Sequence, residues 1–155
     1  MAFNRILVGI DGSDAAEAAA DIAGDIATRY AAELLVVFVV RPEPGRKVLE
    51  GLAEYQEVEH VRLTEEEALQ ALGRIVVERT EARLREAGVT RVEPIVELGD
   101  PAPTIAALAK QRGADLVVVG RRGLSDFAAL LLGSVSHKVG SRAEWGVWAS
   151  EGVLY

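Results

Sequence analysis

The hydrophobic residues of the chain are concentrated in short apolar runs, which longer amphipathic stretches separate. The runs consist mainly of valine, leucine and isoleucine, and turn-forming residues follow them. Such runs are typical of strands that are buried on both faces of a parallel sheet. Three runs, 6–10, 34–40 and 115–120, and one alternating segment, 91–98, therefore predict strands. The segment 147–155 predicts a final strand, although a Glu-Gly pair interrupts its apolar run.

The stretches between these strands carry apolar residues at steps of three and four, which is the spacing of one helix face. Helices are predicted over 15–32, between 64 and 88, over 101–112 and over 134–142. Residues that cap helix N-termini stand before the first three: Ser13 or Asp14, Thr64 with Glu67, and Asp100 before Pro101.

The helix between 64 and 88 is predicted to turn an apolar face towards the core. That face comprises Leu69, Leu72, Val76, Leu84 and Ala87. A glycine at position 73 interrupts the helix and weakens it by about 1 kcal/mol relative to alanine. Residues 46–63 give no clear secondary-structure signal, and both a short helix and a loop remain as alternatives.

Strict alternation of strand and helix predicts an α/β fold with an open parallel sheet and helices on both faces, which is a Rossmann-like arrangement. The length of 155 residues fits one compact domain, so the chain is interpreted as a single domain over 1–155.

Composition and charge exclude several function classes. The chain has no cysteine, which rules out disulfides, thiolate metal sites and a cysteine nucleophile. The net charge of -7 argues against nucleic-acid binding, which needs a basic face. No apolar run is long enough to span a bilayer, and the start lacks the features of a secretory signal. These observations predict a cytoplasmic protein with no membrane partner.

The loop after the fourth strand carries the most informative residues. In open parallel sheets ligands bind beyond the carboxyl ends of the strands. Gly120 and Gly123 allow close approach of the backbone to a ligand, and Gly133 and Ser134 stand at a helix start that favours phosphate. The same glycines also suit an ordinary turn, and Ser134 also suits a plain helix cap. Pattern alone leaves these alternatives open.

A family resemblance bears on this choice. The stretch 120–136, GRRGLSDFAALLLGSVS, resembles the nucleotide signature of the universal stress protein family: Gly, two residues, Gly, nine residues, Gly, then Ser or Thr. The segments 6–13, ILVGIDGS, and 99–120, GDPAPTIAALAKQRGADLVVVG, resemble the same family. The likeness extends over about 5–142. It implies a five-stranded sheet of order 3-2-1-4-5, and the intact signature implies the ATP-binding branch.

The resemblance also implies a role for individual residues. Asp11 matches the acidic residue that contacts the nucleoside; the residue also suits a turn or a helix cap. The other matched positions line the adenine, the ribose and the phosphates, in that order: Gly9 and Val39; Val119 and Gly120; Gly123, Gly133, Ser134, Val135 and Ser136. The implied cofactor is ATP, with any Mg²⁺ arriving on the nucleotide. A homodimer is also implied, but residues 144–152 depart from the family's usual ending.

Three functions follow as hypotheses. The first is an ATP-binding regulatory protein of the stress response. The second is a slow ATPase whose hydrolysis acts as a switch, and the third is a dimerising module without nucleotide. No catalytic residue and no protein metal ligand are predicted, since His60 and His137 lie far apart. The chain lacks the P-loop lysine and the three-glycine dehydrogenase fingerprint, and the acidic pair of a two-component receiver is missing.

Overall fold

A computed structural model describes residues 3–41, 65–120, 146–149 and 152–153, and for the last two ranges it describes the backbone only. The described residues form strands and helices in strict alternation up to the fourth strand. In chain order the elements are β1 Arg5–Ile10, α1 Asp14–Tyr30, β2 Glu33–Val40, α2 Glu65–Glu86, β3 Val92–Leu98, α3 Pro101–Arg112, β4 Leu116–Val119, β5 Gly146–Ala149 and β6 Gly152–Val153.

The strands form one sheet of order β3-β2-β1-β4-β5-β6. The first four strands are parallel and stand in the order 3-2-1-4, as expected. The expectation of five strands, all parallel, is wrong. The final segment is divided into β5, which runs parallel to β4, and β6, which pairs antiparallel with β5. Only two residues separate β5 from β6, and a parallel pair would need a crossover of a dozen or more.

The sheet has a hydrophobic core on each face. Successive strand residues point to opposite faces, so Val8 and Val36 belong to one core and Leu7 and Leu35 to the other. Helices α1 and α2 contribute to the first core and α3 to the second. The expectation of an α/β fold with helices on both faces of a parallel sheet is confirmed.

Helix α2 buries only part of the face that the sequence pattern predicted: Leu84 is buried, and Leu69 and Val76 are half-buried. Leu72 is 50% exposed, and Ala87 is exposed. Besides Leu84, the helix buries Ala68, Gly73, Val77 and Thr80, which were not predicted to face the core. A Cβ at Gly73 would come within 2.9 Å of the Phe38 ring. The glycine therefore lets α2 approach the sheet closely, which is a packing role and not only a cost in helix propensity.

The predicted helix ends are confirmed at several points. Ser13 is the N-cap of α1, and its Oγ accepts the N–H of Ala16 at 3.2 Å. Asp100 occupies the N-cap position of α3 but its side chain makes no capping hydrogen bond. Gly113 ends α3 with a φ of 66°. The predictions for Thr64, for 46–63 and for the helix over 134–142 lie outside the described residues.

Ion pairs and a hydrogen bond connect neighbouring elements at the amino-terminal edge of the sheet. Arg5 Nε on β1 lies 2.6 Å from Glu33 Oε2 on β2. Arg112, at the end of α3, contacts both carboxylate oxygens of Glu93 on β3. Hydrogen bonding to Glu93 raises the pKa of the Arg112 guanidinium. The Asp115 carboxylate accepts the backbone N–H of Arg5 at 2.9 Å. These contacts join β1 to β2, α3 to β3 and the residue before β4 to β1, at the edge opposite the candidate site.

Candidate functional site

The sheet has a switch point between β1 and β4. From β1 the strand order runs one way through β2 to β3 and the other way to β4. The crevice outside the carboxyl ends of two such strands is where open α/β sheets bind ligands. Gly9 on β1 pairs with Val119 on β4, so the residues that follow these strands, Asp11 and Gly120, come together at this edge.

The Asp11 side chain closes the turn between β1 and α1. Its Oδ1 accepts the N–H of Ser13 at 2.9 Å, and Gly12 between them has a φ of 83°. The turn-closing role that the sequence left open is therefore present. Asp11 is also exposed. Since a carboxylate has about four acceptor positions, one bond to the backbone leaves the group able to accept hydrogen bonds from a ligand.

Gly120 is buried against the first turn of α1. A Cβ at this position would lie 2.8 Å from the Ala15 carbonyl carbon and 2.9 Å from the Ala16 nitrogen. Any larger residue would push backbone against backbone. The glycine thus has a packing role in addition to the ligand role that the resemblance implies. It also holds the end of β4 close to the first turn of α1.

The residues expected to line an adenine pocket share one face of the sheet. Val119 belongs to the core on the α3 face, and Val39 packs against that core while remaining half-buried. Gly9 pairs with Val119 and with Val37 of the same core. A Cβ at Gly9 would lie 2.7 Å from Ile105 Cδ1. The absence of a side chain at Gly9 therefore makes room for α3.

The N-termini of the described helices offer few donors to a phosphate. In α1 the N–H groups of Ala16 and Glu17 already bond to Ser13. In α3 Pro101 and Pro103 have no N–H, and the N–H of Thr104 bonds to the carbonyl of Asp100. Within the described residues, no group of three or more metal-ligating side chains occurs. The phosphate residues implied by the resemblance, Gly123, Gly133, Ser134, Val135 and Ser136, lie outside the described residues.

Two residues near this edge were not predicted from the sequence to belong to the site. Ile105 fills the space above Gly9. Glu97 on β3 pairs in register with Val39 on β2 and is half-buried. The alternation of 91–98 places Glu97 on a definite face of its strand, but only the register of β3 on β2 places it beside Val39. Glu97 was therefore beyond the reach of pattern alone.

Comparison with known proteins places the chain among relatives of similar length. The model of the universal stress protein family matches residues 2–150. Universal stress protein YxiE of Bacillus subtilis is 36% identical over 140 residues, covering 88% of this chain and 91% of that protein. A universal stress protein of Thermus aquaticus is 37% identical over 141 residues, covering 91% and 93%.

Solved structures that are similar to this chain are also those of universal stress proteins. A universal stress protein in complex with cAMP is 30% identical, with a TM-score of 0.61 over 96% of this chain and 97% of that one. Universal stress protein UspA from Lactobacillus plantarum is 26% identical, with a TM-score of 0.62 over 96% and 98%. Among the described helices, none has the length and apolar character needed to cross a membrane. On the family match and the curated relatives together, this chain belongs to the universal stress protein family.

Proposed function

We propose that this protein binds ATP at the carboxyl edge of β1 and β4 and acts as a nucleotide-dependent regulator in the stress response. The observation that carries the proposal is the register of β1 on β4, which brings the residues after both strands, Asp11 and Gly120, to the switch point. The intact Gly-x2-Gly-x9-Gly-Ser signature begins at Gly120. The cAMP bound by a relative of 30% identity supports an adenine nucleotide as the ligand class.

The described surface supports a division of the site into a nucleoside part and a phosphate part. Asp11 and Val39 give this edge an exposed carboxylate and a half-buried apolar side chain, which suit a ribose and a base, while Gly9 is buried and makes room for α3. A carboxylate accepts hydrogen bonds from sugar hydroxyls but repels phosphate. In α1 and α3 some of the first-turn N–H groups are already bonded or are replaced by proline, and in this proposal the phosphates are assigned to Gly133, Ser134 and Ser136.

Calorimetric titration of ATP with Mg²⁺ into protein stripped of bound small molecules tests the proposal. Replacing Gly123 by valine adds a branched side chain at the second glycine of the signature, and we expect it to abolish ATP binding. The exposed Arg79 on α2 provides a matched control, since Arg79→Met is expected to leave the affinity unchanged. A G123V variant that folds and binds ATP as tightly as the wild type would refute the assignment of the site.

The same preparation also distinguishes a binding protein from the slow ATPase that the sequence left as an alternative, and it tests the nucleotide preference. Phosphate release from ATP no faster than in buffer is the result expected of a binding protein, because no catalytic residue is assigned. Competition between ATP and cAMP for the same protein establishes which adenine nucleotide it prefers, and we expect ATP to displace cAMP.

A further inference from the structure

The carboxylate of Glu97 lies on the sheet face that carries the proposed adenine pocket. Ile95 of β3 and Val39 of β2 pack against the core on the α3 face, whereas Val96 packs against the opposite core. Since side chains alternate along a strand, Glu97 is on the same face as Ile95. In the parallel register Glu97 stands directly beside Val39.

Glu97 differs from the other strand glutamates near it in having no partner among the described residues. Glu33 pairs with Arg5, and Glu93 pairs with Arg112. Among the described residues Glu97 forms neither a hydrogen bond nor an ion pair, and it is half-buried. A partly exposed carboxylate beside an apolar side chain keeps acceptor positions that water or a ligand can fill. Such an acceptor is suited to a ligand that brings the donor.

The spacing of the strands matches the size of a nucleoside. Gly9, Val37 and Ile95 form one row across β1, β2 and β3, and Val39 and Glu97 belong to the next row towards the carboxyl ends. Asp11 continues β1 one residue beyond its last paired residue, in line with Val39. Neighbouring strands are about 4.8 Å apart, and β2 lies between β1 and β3, so the Cα atoms of Asp11 and Glu97 are roughly 10 Å apart. A nucleoside with its ribose at Asp11 and its base over Val39 extends towards Glu97.

We propose that Glu97 accepts a hydrogen bond from the exocyclic N6 amino group of the bound adenine and so favours nucleotides with a donor at this position. The inference rests on the proposed function and assigns the base selectivity of the same site. An ionised carboxylate can only accept hydrogen bonds, so it matches an amino group and gains nothing from a purine without one.

The test compares ATP with purine riboside triphosphate, which lacks only the amino group. A hydrogen bond to a charged group supports a preference of about tenfold or more for ATP in the wild type. In Glu97→Val, a β-branched replacement that suits a strand, we expect the preference to fall to within about twofold. In Glu97→Gln, whose amide oxygen is a neutral acceptor, we expect an intermediate preference.

The control is Leu98→Val, the adjacent residue on the opposite face of the same strand. It is expected to keep the wild-type preference. A preference that is equal in the wild type and E97V, or two affinities that fall together in E97V, would overturn the role of Glu97 while the ATP site stands. Absence of binding of either nucleotide to the wild type would instead overturn the proposed function, and this inference with it.

Discussion

Arg83 on α2 reaches across to Glu17 in the first turn of α1, with 2.5 Å between Nη2 and Oε2. The same guanidinium nitrogen lies 3.1 Å from Asp21 Oδ1, and Thr80 Oγ1 lies 3.1 Å from Glu17 Oε1. Thr80 is 1% exposed. This cluster ties α2 to the helix whose first turn supports Gly120, so the orientation of α1 at the candidate site depends on it.

Replacing Arg83 by methionine is expected to lower the free energy of unfolding by about 1 to 2 kcal/mol. The pair is partly exposed, so its worth lies between that of a surface pair and that of a buried one. Arg83→Lys retains the charge and is expected to cost less. Urea denaturation measures the change, and Arg79→Met on the exposed side of α2 provides the control. Equal stability of R83M and wild type would show that the cluster does not stabilise the fold.

The buried face of α2 can be tested by two truncations on the same helix. Val77 is fully buried, and Val77→Ala is expected to cost about 2 kcal/mol through lost burial and a residual cavity. Leu72 is 50% exposed, and Leu72→Ala is expected to change stability by less than about 0.5 kcal/mol. Thermal or chemical unfolding distinguishes the two. The reverse order would favour the face predicted from the sequence pattern.

Gly120→Ala is expected to reduce both stability and ATP binding. The new Cβ would meet the backbone of Ala15 at 2.8 Å, and relieving such overpacking costs about 1 to 3 kcal/mol. Since α1 must then move at the site, we expect ATP affinity to fall at least tenfold. Gly113→Ala is the matched control: its φ of 66° strains an alanine, but its Cβ meets nothing within 4 Å.

The control separates the two effects of the Gly120 substitution. G113A is expected to lose about 1 to 2 kcal/mol of stability from backbone strain and to retain its ATP affinity, because Gly113 lies at the opposite edge of the sheet. A G120A variant that is destabilised but binds ATP normally would show that Gly120 has a packing role and no role in ATP binding.

Asp11 has a turn-closing role that can be separated from a ligand role. Asp11→Asn keeps an acceptor for the Ser13 N–H and is expected to change stability by less than about 0.5 kcal/mol. Asp11→Ala removes the acceptor and is expected to cost about 1 kcal/mol. In binding, D11A is expected to weaken ATP about tenfold, measured by calorimetry. Unchanged affinity in D11A would leave Asp11 with the turn alone.

Much of the fold could be predicted from the sequence because its signals are local. The buried runs at 6–10 and 34–40 and the cap at Ser13 each depend on neighbouring residues, and the structure reproduces them. The face of α2 could be predicted in this way only in part, at Leu84 and Val76. Its contact with the sheet is set by Gly73 fitting against Phe38, which periodicity counts as a defect in the helix.

The candidate site shows the same limit. The position of Asp11 after the first strand follows from the sequence, and the meeting of Asp11 with Gly120 follows from the sheet order that the family resemblance implies. The packing of Gly9 against α3 and of Gly120 against α1 could not be predicted, because it depends on distances between elements that are remote in the chain. The same holds for Glu97, whose neighbour Val39 is set by strand register.

Chemical-shift mapping of the isotope-labelled protein during ATP titration tests the location of the site most directly. We expect the largest amide shifts to cluster at the carboxyl ends of β1 and β4, around Asp11 and Gly120, with a smaller group at Val39 and Glu97. The amides at the amino-terminal edge around Arg5 and Arg112 are expected to stay unchanged. Shifts centred on that opposite edge, or no shifts at saturating ATP, would refute the proposed site.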